Sequence, residues 1–132
     1  MKGLDTNILV RYLVKDDRKQ AERASAYIRE ATADGESCFI NHVVIGELVW
    51  VLESAYEYGK NEIADVLEKI LVTKQLEIEA KDIVRQAVQD YRRGRGDLAD
   101  YLIGRSNQAQ GCEVTASFDR ALKNSSSFIV LE

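Results

Sequence analysis

Two rhythms of apolar residues alternate along this chain: short apolar runs, and longer stretches where apolar residues return every third or fourth position. The runs Met1–Leu4, Ser37–Ile40, Gln75–Ile78, Cys112–Ala116 and Phe128–Leu131 predict strands. The stretches Asn7–Val14, Lys19–Ala33, His42–Tyr58, Lys60–Thr73, Lys81–Arg93 and Asp97–Ala109 predict helices, with a short helical turn around Arg120–Lys123. In Lys19–Ala33 the inward face is Ala21, Ala24, Tyr27, Ile28 and Ala31, and Gly35 is the stop signal. In Lys60–Thr73 that face is Ile63, Val66, Leu67 and Ile70; in Lys81–Arg93 it is Ile83, Val84, Ala87, Val88 and Tyr91. Strands separated by helices imply crossover connections and a mainly parallel sheet covered on both faces, an α/β protein. Proline is absent, the eight Gly are scattered and no repeat or linker is visible, so residues 1–132 read as a single domain.

Charge and composition narrow the chemistry. Eighteen Lys and Arg against 22 Asp and Glu leave a net −4, which excludes binding nucleic acid through bulk positive charge but leaves room for local basic patches. The longest segment free of Asp, Glu, Lys and Arg is the ten residues Ser37–Gly46, about half of the ~20 needed to cross a bilayer. The N-terminus carries Asp5 early and interrupts its apolar run with Arg11, unlike a signal peptide. The expected location is therefore cytoplasmic, away from membranes, with Cys38 and Cys112 as reduced core residues. One His and two Cys cannot build a structural zinc site, which needs about four such ligands. Gly-rich phosphate loops and dinucleotide fingerprints are absent. Carboxylates and hydroxyls remain.

Ligands of parallel sheets gather at the carboxyl ends of the strands, and several acids fall there. Asp5 follows the first strand in Asp5-Thr6-Asn7, where a helix cap is the ordinary explanation. Glu47 has Val43, Val44, Trp50 and Val51 three and four residues away, a costly face for a carboxylate unless a cation compensates it. Arg11 is the candidate salt-bridge partner. Asp97 and Asp100 share a helical face in the first turn after Arg93-Gly94-Arg95-Gly96, where acids also complement the helix dipole. Asp119 follows the fourth strand, in the position of a turn or cap residue. Each acid has a bland explanation; their convergence on one end of the sheet does not. Clustered carboxylates need a cation, and oxygen-only ligands select Mg²⁺ or Mn²⁺. Such ions serve phosphoryl substrates, so the class deduced is metal-assisted hydrolysis of a phosphodiester or phosphate ester.

Four segments carry a family likeness: Leu4-Asp5-Thr6-Asn7, Val44-Ile45-Gly46-Glu47-Leu48, Asp97-Leu98-Ala99-Asp100-Tyr101-Leu102-Ile103 and Ser117-Phe118-Asp119-Arg120-Ala121-Leu122. In order and spacing, almost end to end, they resemble a PIN domain, most nearly the VapC-type toxins of VapBC toxin–antitoxin pairs. The resemblance implies a three-layer α/β/α sandwich with a mainly parallel central sheet and a Mg²⁺- or Mn²⁺-dependent endoribonuclease. It assigns Asp5, Glu47, Asp100 and Asp119 to the catalytic acidic quartet that holds the metal, and Asp97 to a further ligand acting through water. Thr6 and Ser117 match hydroxyl positions beside the metal, Ser117 standing where Thr is usual, and Asn7 completes the first motif. It further implies water attack on RNA that leaves 5′-phosphate and 3′-hydroxyl ends, a homodimer, and a cognate antitoxin whose C-terminal segment covers the acidic site.

Two basic groups offer contacts for RNA phosphates: Arg92, Arg93 and Arg95 beside Asp97 and Asp100, and Arg11, Lys15, Arg18, Lys19 and Arg23. Within the first, Arg93 and Arg95 are the expected RNA-binding residues. The rivals to a nuclease are a catalytically silent PIN-like binding module and a Mg²⁺-dependent phosphatase. A response-regulator receiver fits poorly, because Asp16-Asp17 follow a helix and Glu47 lies inside one.

Overall fold

The computed structural model describes all 132 residues. Strands β1 (Lys2–Gly3), β2 (Cys38–Ile40) and β3 (Leu76–Ile78) lie in that order, with β2 central; Cys38 stands opposite Lys2 on one side and Leu76 on the other. Strands β4 (Thr115–Ser117) and β5 (Phe128–Val130) form a separate pair. All three ladders are parallel, as the pattern predicts, yet the hydrogen bonding divides the sheet into two pieces and each strand is only two or three residues long. Capping explains part of the shortening: Asp5 begins a helix two residues after β1, so only Leu4 extends the ladder, its N–H donating to the Phe39 carbonyl at 2.9 Å.

Six helices flank these strands in an α/β sandwich: α1 (Thr6–Val14), α2 (Arg18–Ala31), α3 (His42–Ser54), α4 (Lys60–Leu71), α5 (Lys81–Arg93) and α6 (Leu98–Ala109). A 3₁₀ turn spans Arg120–Leu122. Three helices open on side-chain caps that satisfy otherwise orphaned N–H groups: Asp5 for α1, Asp17 for α2 and Asn41 for α3. Helix α3 ends four residues before the pattern predicts, and Glu57 beyond it turns left-handed at φ 56°.

The predicted faces bury except at their margins, where Val66 and Ile83 are only partly covered. Ile63, Leu67 and Ile70 of α4 and Val84, Ala87, Val88 and Tyr91 of α5 join one cluster of 26 buried residues with Leu9, Ile40, Leu48 and Leu98. Tyr27 departs from its face, at 46% exposure. Cys112 corrects a second expectation. Cys38 is fully buried in β2, but Cys112 is exposed and precedes its strand, which starts at Thr115. The cause is the close of α6: Gly111 turns at φ 98° and the Cys112 N–H folds back to the Asn107 carbonyl at 3.0 Å. Neither cysteine forms a disulfide, and no helix is long and apolar enough to cross a membrane.

Candidate active site

The first motif and the second meet through one contact. The Thr6 hydroxyl donates to Glu47 Oε1 at 2.6 Å, across 41 residues of sequence. Thr6 is buried at the start of α1, where it cannot swing away, so the bond fixes Glu47 in the second turn of α3 beside Asp5. Asp5, Thr6, Asn7 and Glu47 line one cavity of about 650 Å³.

The expectation that Glu47 lies on a costly apolar face is corrected: its carboxylate is exposed. Its neighbours Val43 and Trp50 are themselves about 70% exposed, and only Val44 is buried among them. The salt-bridge alternative is also removed. Arg11 is committed elsewhere, donating to Asp16 Oδ1 at 3.1 Å and to Gln20 Oε1 at 2.7 Å. Tyr56 donates its hydroxyl to the other Asp16 oxygen, and this bond, with Arg11 nearby, holds the Asp16 carboxyl below its ordinary range. Glu47 therefore has no cationic partner, and its one side-chain hydrogen bond is the one from Thr6.

The remaining acids form a second group. The Asp97 N–H donates to Asp100 Oδ2 at 3.1 Å, closing the first turn of α6 on itself. Asp119 caps the 3₁₀ turn, taking the Ala121 N–H on Oδ1 at 2.9 Å, while Ser117 Oγ accepts the Asp119 N–H at 3.0 Å. The ordinary explanations for Asp5, Asp100 and Asp119 thus hold: each braces a helix or turn start. They do not exhaust the carboxylates. In Asp5, Glu47, Asp100 and Asp119 alike, one oxygen is anchored by a hydrogen bond and the other has no partner in the chain.

Burial raises the Asp100 carboxyl first, and the negative charges of Asp97 and Asp119 raise it further, against the opposing bond from the Asp97 N–H. Asp100 thus feels the charge of both neighbours. Glu53, which is absent from the four motifs, joins them: burial lifts its carboxyl, and the charge of Asp97 adds to the lift. No local pattern marks Glu53; its exposure to Asp97 arises only from the packing of the chain.

The donor set suits a hard divalent cation, being all oxygen and half-anchored. No group of three acids, His or Cys is already closed upon a single point. Between the two groups, Glu47 also lines a groove with Ala99, Leu102 and Ile103 of α6.

The basic residues sort themselves by pairing. Arg92 is tied to Asp65 and Glu68, and Arg105 to both oxygens of Asp90, whereas Arg93 and Arg95 are exposed and enter no ion pair. Arg92 therefore leaves the set of free cations. In the second basic group, Arg11 and Arg18 are paired with Asp16 and Glu22. The Arg93–Arg95 loop is held from beneath. Lys60 donates to the Gly94 carbonyl, and the buried Tyr101 hydroxyl accepts the Gly96 N–H at 2.9 Å.

The chain is a parallel α/β sandwich with half-anchored carboxylates after β1, in α3, at the head of α6 and after β4, positions where open α/β sheets place their ligand-binding loops. The chain belongs to the PIN domain family, whose model matches residues 3–126. It is similar to a VapC ribonuclease of Aquifex aeolicus (strain VF5), 32% identical over 123 residues that cover 93% of this chain and 90% of that protein.

Proposed function

We propose that this chain is a cytoplasmic, metal-dependent endoribonuclease, the toxin of a toxin–antitoxin pair, built as a single PIN domain over residues 1–132. The observation that carries the proposal is the set of four carboxylates, each with one anchored and one free oxygen, including the unpaired and exposed Glu47. Similarity to a ribonuclease over nearly the whole of both chains supports RNA as substrate. Asp5, Glu47, Asp100 and Asp119 would hold Mg²⁺ or Mn²⁺, with Asp97 as a further ligand through water. When bound, the ion supplies positive charge that activates water and neutralises the phosphate.

The chain's own residues set the geometry for this chemistry. Thr6 orients Glu47; Asn7, through its backbone N–H, orients Asp5; and Ser117 fixes the backbone of Asp119. The anchored oxygens cannot turn away, so the free ones cost little entropy to recruit. Cleavage releases the 3′-oxygen and leaves a 5′-phosphate. A homodimer and a cognate antitoxin that covers the acidic site complete the proposal.

Two measurements test it. Offered RNA and a generic phosphomonoester in Mg²⁺, the chain should cleave the RNA, leave 5′-phosphate and 3′-hydroxyl ends, and ignore the monoester; the reverse preference would make it a phosphatase. Arg93→Ala with Arg95→Ala should weaken RNA binding across sequences. The slope of log K against log salt should fall by about 0.7 for each phosphate of a single strand that the arginines no longer neutralise. An unchanged slope would remove both arginines from the interface.

A further inference from the structure

Trp50 is the one tryptophan in the chain, and 69% of it is exposed. It stands one helical turn after Glu47 on α3 and lines the same cavity as Asp5, Thr6, Asn7 and Glu47. A tryptophan left in water forgoes one of the largest burial gains any side chain offers. Nothing within the chain compensates: the aromatic pair of the structure is Tyr56 with Tyr58, and the cation over a ring is Lys60 on Tyr91. The indole face is free.

We propose that Trp50 is a stacking platform for a base of single-stranded RNA next to the scissile phosphate, an inference that rests on the ribonuclease reading above. Three observations favour a base over a protein surface. The residue lines the cavity that holds Asp5 and Glu47, two of the four carboxylates assigned to the reaction. Beside it, the exposed Asn7 side-chain amide has no partner in the chain and can read a base edge with both a donor and an acceptor. The exposed apolar residues Val43 and Ile103 line the adjoining groove between α3 and α6, on the other side of Glu47, and Trp50 is not among its lining residues. Every base presents a π face, so stacking tolerates sequence but requires an unpaired strand. The platform thus selects for loops and single strands over duplex.

Because Trp50 is the sole tryptophan, its emission reports on the platform without any turnover. The test titrates the Asp5→Asn chain in Mg²⁺ with short single-stranded oligoadenylate and with an RNA duplex, and measures cleavage by Trp50→Ala and Trp50→Phe. Expected are quenching by the single strand and not by the duplex, and a KM raised roughly five- to a hundredfold in Trp50→Ala with kcat held. Trp50→Phe should recover most of that loss. Emission that stays unmoved while RNA is bound overturns the platform and leaves the nuclease standing. Emission that follows protein concentration and ignores RNA also overturns it, placing a second copy of the chain on Trp50. A wild-type chain that neither binds nor cleaves RNA overturns both.

Discussion

Glu47→Gln should abolish RNA cleavage and leave the fold intact. Gln keeps the length of the side chain and an oxygen that can accept from Thr6, so the 2.6 Å contact survives and only the charge is removed. Because Glu47 is exposed and unpaired, stability should change by no more than about 0.5 kcal/mol. The rate should fall by about 10²–10³-fold or more, the usual scale for removing one electrostatic element from a reacting centre. Thermal unfolding beside a cleavage assay separates the two quantities. The other acids give a less clean experiment: Asp5 and Asp119 also cap a helix and a turn, and truncating a cap costs about 0.5–2 kcal/mol in itself. A Glu47→Gln chain that still cleaves RNA at the wild-type rate would remove Glu47 from the site.

Gly94→Ala should cost about 2–4 kcal/mol, the largest loss of stability expected from any single methyl group added to this chain. A Cβ at Gly94 would sit 1.9 Å from the Tyr101 hydroxyl oxygen and 3.1 Å from the Asp90 carbonyl. The backbone itself is not the obstacle, since Gly94 lies at φ −99°, open to any residue. The Tyr101 ring cannot yield, because it is buried and its hydroxyl accepts the Gly96 N–H at 2.9 Å. Gly96 is closed as well: its Cβ would meet Leu122 Cδ2 at 2.5 Å. Moving Tyr101 breaks a buried hydrogen bond, and moving the loop displaces Arg93 and Arg95 together with the entry to α6. Activity should therefore fall along with the denaturant midpoint. Adding Tyr101→Phe removes the clashing oxygen, so the double variant should lose less than the sum of the two single changes. Strict additivity would show that the Tyr101 hydroxyl is not the obstruction.

Much of the site is legible in the sequence because it is local. A cap follows its strand by one or two residues and an N-cap acid pairs with the residue three along, so Asp5, Asp97, Asp100 and Asp119 stand out from spacing alone. The helices are equally readable, since their buried faces repeat within a few residues. Strand ends are not: they depend on where a cap or a turn like that at Gly111 interrupts the ladder, which is why the pattern puts Cys112 in a core it does not reach. Links between distant parts of the sequence are invisible. Nothing in the sequence joins Thr6 to Glu47, sets Glu53 against Asp97, or reveals that Gly94 and Gly96 make room for Tyr101. The correction at Glu47 has the same origin, for helical spacing identifies neighbours on a face but does not say whether that face meets the core or the solvent. By spacing Trp50 belongs to an apolar wall; in the fold it stands open at the mouth of the site.

Metal dependence is the central claim, and one measurement tests it most directly. Purified chain, freed of any bound antitoxin, is incubated with total RNA in Mg²⁺ or Mn²⁺, in EDTA, and alongside Asp5→Asn, which keeps a capping side chain at the head of α1. Cleavage by the metal-loaded wild-type chain, abolished in EDTA and in Asp5→Asn, is the result expected of half-anchored carboxylates recruited by a divalent ion. Intact RNA in the metal-loaded wild-type sample, or equal cleavage in EDTA, would contradict it.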